Sequence, residues 1–376
     1  MKTRAAVLRQ SGLPHPYKDS RPLVIEEVEL ADPGRDEVLV RIRAAGLCHS
    51  DLSVINGDRP RPLPMALGHE AAGEVMALGE GVSDLALGDH VALVFVPSCG
   101  HCEPCCEGRP ALCEPGAAAN GAGTLLSGAR RVKDGQGEAV NHHLGCSAFA
   151  EHAVVSRRSL VKLDPRLPWD EAALFGCAVL TGVGAVVNTA QVRAGQSVAV
   201  IGLGGVGLAA VIGAVAAGAR EIVAIDLSPA KRELAISLGA TQVFDGADPQ
   251  CVEQVRAATG GGLDHVFEFA GSIRAFETAY RITRRGGTTT TAGLPPPGAN
   301  FALPVVNLVA EERTLKGSYI GTCVPQRDLP HFVSLYRTGR LPVNRLMSGT
   351  LKLDDINEGF DRLHAGEAVR QVIVFD

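Results

Sequence analysis

Hydrophobic and polar residues alternate over short runs in the first part of the chain. Residues 24–30 and 37–43 each have the pattern of a β-strand, and a cluster of Asp, Pro and Gly separates them. Residues 47–52 predict the start of a helix with Ser50 or Asp51 as its cap, and further β-like runs follow. This pattern is typical of a mostly antiparallel β region.

The stretch at residues 114–145 is rich in Gly, Ala and Asn and has no clear period. It predicts a long loop, either functional or simply solvated. His142 and His143 lie near its end. We interpret them as hydrogen-bonded loop histidines rather than metal ligands.

From Trp169 onwards the pattern changes to strands that alternate with helices. Residues 197–201 form a short apolar run of the kind found in buried parallel strands, and a helical stretch follows at 208–217. Later strands are predicted at 221–225, 263–269 and 286–293. This alternation predicts a parallel, doubly wound sheet.

The last part of the chain returns to a mixed pattern. Residues 353–363 predict an amphipathic helix and residues 371–375 a closing strand. We expect this tail to rejoin the N-terminal domain.

Composition limits the classes of function. The chain has 376 residues, of which 46% are hydrophobic and 20% charged, so two globular cores are possible. The net charge of −5, without a polybasic run, argues against nucleic-acid binding. No signal-peptide core and no apolar stretch of membrane-spanning length is evident. We therefore expect a cytoplasmic enzyme that acts on a small molecule and binds neither nucleic acid nor membrane.

Ten cysteines in a chain of this kind indicate metal binding or catalysis rather than disulfides. Four of them have the spacing C-x2-C-x2-C-x7-C, and they are Cys99, Cys102, Cys105 and Cys113. Four thiolates complete the tetrahedral shell of a structural zinc ion, and an iron–sulfur cluster is the alternative. Cys106 and His101 are expected to lie outside the ligand set.

The strand at 197–201 leads directly into a glycine-rich turn, which contains Gly202, Gly204, Gly205, Val206 and Gly207. Gly202 suits the tight turn, Gly204 lets the backbone approach a pyrophosphate, and Gly207 lets the helix pack on the strand. Asp226 ends the next strand, 19 residues beyond Gly207. Its carboxylate would bind ribose hydroxyls and repel a 2′-phosphate, which favours NAD over NADP.

A histidine and a carboxylate stand side by side at His69 and Glu70, with Gly68 before them. Imidazole is the commonest metal ligand, and a neighbouring carboxylate could orient it, although a structural role is the alternative. Spacing does not say which cysteines would join His69, because several outside the four-cysteine segment are equally available.

Together these features resemble the zinc-dependent medium-chain alcohol dehydrogenases over nearly the whole chain. The resemblance is carried by the four-cysteine segment, the glycine-rich turn, and the set Gly68, His69, Glu70, Gly73, Gly79 and Val82. It implies an α/β protein with a GroES-like, mostly-β catalytic domain at 1–178, completed by 322–376. A structural-zinc lobe would span 97–114, and a Rossmann domain with a doubly wound parallel sheet would span 179–321.

The resemblance also implies a catalytic zinc ion on Cys48, His69 and Cys177, with the fourth position open for substrate. Zinc would act as a Lewis acid on an alcohol, hydride would pass to NAD, and an aldehyde or ketone would form. The proton would leave through Ser50, for which helix capping is the alternative role. Asp51 would hold His69, and Glu70 would lie close to the metal.

The remaining implied sites concern the cofactor and the substrate. The resemblance assigns cofactor contacts to His49, Thr181, Gly202, Gly204, Gly205, Val206, Gly207, Asp226, Lys231, Ala292, Leu294 and Arg370. Phe95 and Leu294 would line an apolar alcohol pocket, with core packing as the alternative for Phe95.

The sequence departs from the family pattern in two places. Ser53 stands where several members continue the proton relay with a histidine, so the relay would end early, pass through Ser53 or use water. Arg59 and Arg61 lie in a segment where glutathione-dependent formaldehyde dehydrogenases carry acidic residues, which weakens that assignment. The long segment after Cys113 resembles dimeric members, so we expect a homodimer.

Three hypotheses follow. The leading one is an NAD- and zinc-dependent alcohol dehydrogenase with two zinc ions per chain, acting on primary alcohols, with aromatic ones among the candidates. The second is a dehydrogenase of a thiol–formaldehyde adduct, S-(hydroxymethyl)glutathione. The third is a non-catalytic NAD-binding protein on the same scaffold, which the presence of Cys48, His69 and Cys177 disfavours.

Overall fold

The computed structural model of the protein describes residues 1–376. The chain divides into two compact units. Unit 1 contains Met1–Cys177, Val324–Pro330 and Met347–Asp376. Unit 2 contains Ala178–Cys323 and His331–Leu346.

Eighteen strands and thirteen helices make up the two units. The strands are β1 Lys2–Leu8, β2 Leu23–Leu30, β3 Glu37–Gly46, β4 Met65–Ala66, β5 Ala71–Leu78, β6 His90–Leu93, β7 Val132–Lys133, β8 Ala139–His142, β9 His152–Ser156, β10 Leu160–Lys162, β11 Ser197–Ile201, β12 Glu221–Asp226, β13 Gln242–Asp245, β14 Leu263–Glu268, β15 Thr283–Thr291, β16 Thr314–Gly317, β17 Gly349–Leu351 and β18 Gln371–Val374. The helices are α1 Tyr17–Ser20, α2 His49–Ile55, α3 Glu103–Cys106, α4 Glu114–Ala122, α5 Trp169–Ala173, α6 Ala178–Gly184, α7 Gly205–Ala216, α8 Pro229–Ser237, α9 Cys251–Ala258, α10 Ile273–Ile282, α11 Val305–Ala310, α12 Pro325–Arg337 and α13 Ile356–His364.

Unit 1 contains two β structures. Strands β1, β2, β7, β8 and β4 close into a small barrel, and β10, β6, β5, β3, β18 and β17 form a sheet to which β9 adds through β3. Alternate residues of the barrel strands point inward, so Val7, Val28 and Val140 pack into one apolar cluster. The end of the tail lies in unit 1, where Val372 of β18 pairs antiparallel with Gly46 of β3, whereas His331–Leu346 belongs to unit 2.

Unit 2 is built on a six-stranded parallel sheet with the order β13, β12, β11, β14, β15 and β16. The central strand β11 is buried along its whole length, which explains why its sequence is almost entirely apolar. Val223, Val255 and Val266 from the sheet and α9 pack into one buried cluster. The predicted doubly wound parallel sheet is confirmed.

Two local predictions were wrong. The stretch at 114–145 is not a loop, because it contains α4 and the barrel strands β7 and β8. Neither Ser50 nor Asp51 caps α2: the N-cap is Cys48, and no side chain makes a capping hydrogen bond there.

No single helix is both long and apolar enough to cross a membrane. The only candidate on length and composition is a bent pair of helical segments, Trp169–Gly176 and Ala178–Thr189.

Candidate metal centre and cofactor-binding segments

Three separate turns of unit 1 carry the side chains of the predicted catalytic metal site. Cys48 lies between β3 and α2 in an extended conformation, with φ −132° and ψ 151°. His69 lies between β4 and β5, and Cys177 follows a short 3-10 turn. Gly68 has a φ of +96°, and a Cβ there would lie 2.4 Å from the backbone nitrogen of Phe149. Glycine is therefore required beside His69.

These turns bring four metal-binding side chains together. Donor atoms of Cys48, His69, Glu70 and Cys177 all lie within 4.8 Å of one another, and all four residues are buried. His69 Nε2 is 3.4 Å from Cys177 Sγ. Two thiols, an imidazole and a carboxylate are the donor types that zinc prefers. The residues therefore fit a zinc ion.

Asp51 contacts the opposite nitrogen of the His69 ring. Its Oδ1 lies 3.0 Å from His69 Nδ1, and both side chains are fully buried. Burial opposes ionisation of Asp51, but His69 and His143 outweigh it and hold the pKa of the carboxyl below its ordinary value. An ionised Asp51 keeps the proton on Nδ1, which leaves the Nε2 lone pair for a metal.

The two thiols differ in acidity. The hydrogen bond from Cys177 lowers the pKa of Cys48 well below its ordinary value against the effect of burial, and the positive charge of Arg370 adds to this. Cys48 raises the pKa of Cys177 in return. The pair thus holds one thiolate readily, and a thiolate is the form that binds metals.

Glu70 and Arg370 form a buried ion pair beside the thiols. Arg370 Nη1 is 3.0 Å from Glu70 Oε2 and donates to the carbonyl of Leu47 at 2.9 Å. The assignment of Arg370 to a cofactor phosphate stays a prediction, and the structure gives this guanidinium a carboxylate partner.

The other predicted residues near the centre lie on α2 and after β6. His49 is exposed at the start of α2, and Ser50 is half-buried in its first turn. The Ser53 hydroxyl donates to the carbonyl of His49 at 2.9 Å, so in this structure it is bonded within its own helix. The Phe95 ring meets the His69 ring edge-on, with centroids 5.3 Å apart.

The four-cysteine segment also converges. The sulfur atoms of Cys99, Cys102, Cys105 and Cys113 lie within 4.8 Å of one another. Burial opposes ionisation of Cys99, but backbone N–H groups of His101 and Cys102 outweigh it and lower its pKa to about 7. Cys106 and His101 are exposed, and neither belongs to this group. A closed set of four sulfur donors fits a structural zinc ion.

The sequence did not predict the contact between His143 and Asp51. The sequence pattern indicates a loop histidine, but the ring is buried, with Nδ1 3.2 Å from Asp51 Oδ1. Nothing in the spacing indicated this contact, because it depends on the barrel bringing the end of β8 to α2. His142 is hydrogen-bonded as expected, to the backbone N–H of Arg131.

In unit 2 the glycine-rich turn joins β11 to α7. Gly202 has a φ of +88° and Gly207 packs directly against the Gly202 carbonyl, whereas no atom lies within 4 Å of a Cβ built at Gly204. Gly204 and Val206 are half-buried and Gly205 is buried. The space beside Gly204 and the free end of α7 fit the pyrophosphate of a dinucleotide.

Asp226 is fixed at the end of β12. Its Oδ2 accepts from the backbone N–H of Leu203 at 2.7 Å, and its Oδ1 accepts from that of Ser228 at 2.8 Å. This arrangement holds the carboxylate beside the glycine-rich turn. The remaining predicted cofactor residues of unit 2 are the buried Thr181, the half-buried Lys231 and Ala292, and Leu294, which is 54% exposed.

Two known domain families match different parts of this chain. Residues 34–165 match the alcohol dehydrogenase GroES-like domain, and residues 205–337 match the zinc-binding dehydrogenase domain. These matches confirm the predicted fold class of a GroES-like domain with a Rossmann-type domain.

Individual relatives match over their whole length. An S-(hydroxymethyl)glutathione dehydrogenase from Synechocystis sp. is 40% identical over 99% of this chain and 100% of its own. A geraniol dehydrogenase from Castellaniella defragrans is 39% identical over 100% of this chain and 98% of its own. The crystal structure of benzyl alcohol dehydrogenase from Acinetobacter calcoaceticus superposes with a TM-score of 0.93 at 30% identity, covering both chains completely.

The buried sulfur–imidazole cluster, the four-cysteine lobe and the glycine-rich turn thus occur in a chain that aligns with these dehydrogenases from end to end. The protein belongs to the zinc-dependent medium-chain alcohol dehydrogenase family and is an NAD- and zinc-dependent oxidoreductase.

Proposed function

We propose that this enzyme oxidises primary alcohols to aldehydes with NAD, reversibly, at a zinc centre held by Cys48, His69 and Cys177. The observation that carries the proposal is the convergence of these three side chains, with Asp51 fixing the far nitrogen of His69. We further propose that Cys99, Cys102, Cys105 and Cys113 hold a second, structural zinc ion.

The chain's own residues have distinct roles in this proposal. Bound zinc supplies a Lewis acid that lowers the pKa of an alcohol. Asp51 orients His69, and the hydroxyl of Ser50, in the first turn of α2, carries the proton away from the alcohol. Glu70 and Arg370 neutralise each other beside the two thiols.

Aromatic and other unsaturated primary alcohols are the substrates we favour. The Phe95 ring lies edge-on to His69 and offers an apolar surface beside the centre. Relatives named benzyl alcohol dehydrogenase and geraniol dehydrogenase support this substrate class.

We assign cofactor binding to unit 2 and catalysis to unit 1. The opening beside Gly204 and the fixed carboxylate of Asp226 support a site for NAD rather than NADP, because that carboxylate would repel a 2′-phosphate. His49, Thr181, Lys231, Ala292, Leu294 and Arg370 complete the proposed set of cofactor contacts.

The second candidate substrate is S-(hydroxymethyl)glutathione. Several relatives are named for that activity, including those from Synechocystis sp. and Paracoccus denitrificans. Arg59 and Arg61 weigh against it, since they replace the acidic residues expected in that segment. The rate of NAD reduction decides between the two candidates. It is measured with benzyl alcohol and with formaldehyde, the latter in the presence and absence of glutathione. A rate that depends on glutathione would favour the second candidate.

We propose a homodimer in the cytoplasm. Helix α11 carries three exposed valines, Val305, Val306 and Val309, which are 62%, 72% and 73% exposed. Strand β16 is an edge strand of the parallel sheet. An apolar face beside an open sheet edge suits a second copy of the chain. None of the ten cysteines forms a disulfide, which agrees with a reducing compartment.

Replacement of one metal ligand tests the proposed centre. Cys48→Ser should lower the rate of alcohol-dependent NAD reduction by at least about 1000-fold, because the zinc ion loses a thiolate ligand. Zinc content should fall from about two ions per chain to about one, since the four-cysteine lobe is unaffected.

Cys106→Ser is the matched control. Cys106 is exposed and lies outside both clusters, so this variant should keep two zinc ions and full activity. Full activity in Cys48→Ser, or a parent protein with only one zinc ion, would overturn the proposal.

A further inference from the structure

His143 is a buried histidine that the proposed chemistry does not use. It follows β8, and its backbone N–H donates to the hydroxyl of Ser147 at 3.1 Å. Its ring is only 2% exposed and lies edge-on to the His69 ring, with centroids 5.6 Å apart. Such a position in an apolar interior normally favours a hydrophobic side chain, so the polar ring needs a partner.

That partner is Asp51. His143 Nδ1 lies 3.2 Å from Oδ1 of Asp51, and His69 Nδ1 lies 3.0 Å from the same oxygen. Two imidazole rings therefore approach one carboxylate oxygen from two elements, one ring from the end of β8 and one from the turn before β5. Asp51 itself is inaccessible to solvent, so these rings supply the polar contacts of Oδ1, whereas Oδ2 has no hydrogen-bond partner.

The chemistry of the three residues fixes their roles. Nδ1 is the ring atom of His143 that faces Asp51, and the negative charge of the carboxylate favours a proton at that nitrogen. His69 likewise presents its Nδ1–H to Asp51.

We propose that His143 is a positioning residue for the metal centre: by holding Asp51, it fixes the orientation of the His69 ring and slows the loss of the zinc ion. The inference rests on the proposed function, since it requires His69 to be a zinc ligand. Residues that orient a metal-binding histidine commonly change metal affinity by about 10- to 100-fold.

The test measures zinc release from the holoenzyme into an excess of chelator, followed with a zinc-sensitive dye. The parent should release its two ions in two phases, and Cys48→Ser identifies the phase that belongs to the four-cysteine lobe. In His143→Leu, zinc release from the centre of Cys48, His69 and Cys177 should be about 10- to 100-fold faster, whereas release from the four-cysteine lobe should be unchanged. His143→Asn should restore a rate close to that of the parent, because its amide N–H can replace Nδ1–H.

His142→Asn is the matched control. His142 is the preceding buried histidine, and its two ring nitrogens contact the Arg131 backbone and the hydroxyl of Ser147. This variant should leave both release phases unchanged even where it lowers thermal stability.

The outcomes separate the two proposals. A zinc-release rate in His143→Leu equal to that of the parent would overturn the proposed role of His143 but not the proposed function. The same conclusion would follow if His143→Leu and His143→Asn accelerated both phases to the same extent. A parent protein that holds only the lobe zinc would overturn the proposed function and this inference with it.

Discussion

His142 and His143 are neighbours on the chain, but their rings contact different parts of unit 1. His143 turns towards Asp51, whereas His142 stays within the barrel. His142 Nε2 accepts from the backbone N–H of Arg131 at 3.0 Å, so its proton is on Nδ1, which lies 3.2 Å from the hydroxyl of Ser147. A second proton on Nε2 would face the Arg131 N–H, so only the neutral ring fits.

This arrangement predicts a pH-dependent stability at the scale of one residue. Burial lowers the pKa of His142 to about 4, below the ordinary value of 6.5. Between these values the unfolded chain binds the proton and the folded protein does not, so stability is lost as pH falls through this window. His142 should contribute a loss of about 2 kcal/mol between pH 7.5 and pH 5.

Urea unfolding of the parent and of His142→Gln at pH 7.5 and pH 5 measures this contribution. Glutamine can accept from the Arg131 N–H without titrating, so the variant should lose about 2 kcal/mol less than the parent over the same interval. An identical pH dependence in both proteins would contradict the assignment.

At the scale of elements, the alternating part of the chain was predictable and the irregular part was not. Strand β11, the turn after it and β12 were evident because apolar runs, glycines and Asp226 occur in a fixed order. The segment at 114–145 was misread because α4 is rich in Ala and Gly, and because β7 and β8 are too short to show a period. These strands depend on their partners in the barrel.

The candidate site was predictable only in part for a similar reason. His69 and the four-cysteine lobe are visible in local sequence, whereas Cys48 and Cys177 needed the family resemblance. Asp51 was also considered as a helix cap, but its carboxylate contacts His69, a residue 18 positions away. Contacts between distant segments override local preferences at such places.

The glycine-rich turn predicts two different outcomes for two glycine substitutions. Gly204→Ala should leave the melting temperature unchanged, since a Cβ there meets no atom within 4 Å and the φ of −73° suits any residue. It should weaken NAD binding by about tenfold, because the methyl group occupies the approach to the pyrophosphate.

Gly207→Ala is the contrasting variant. Its Cβ would lie 1.8 Å from the Gly202 carbonyl oxygen, so it should destabilise the fold by about 1–3 kcal/mol. NAD titration and thermal unfolding of both variants measure the two effects. Parental NAD affinity in Gly204→Ala would exclude this turn as the pyrophosphate site.

At the scale of the whole molecule, the exposed valines of α11 predict self-association. Val306→Asp should convert a dimer into a monomer of 39.2 kDa in sedimentation experiments, because it places a charge in the proposed apolar interface. Leu87→Asp is the matched control, since Leu87 is 68% exposed but belongs to unit 1, so this variant should remain dimeric. A monomeric parent would contradict the proposed dimer.

Strand β18 pairs with Ala44, Ala45 and Gly46 at the end of β3, two residues before Cys48. The ribosome therefore makes one side of this pairing more than three hundred residues before the other, with the whole of Ala178–Cys323 synthesised in between. During translation the end of β3 can pair with β5 on one edge, but its other edge lacks β18. The segment that carries Cys48 gains this second pairing, and the hydrogen bond from the Leu47 N–H to the Gln371 carbonyl, only after synthesis has passed these C-terminal residues.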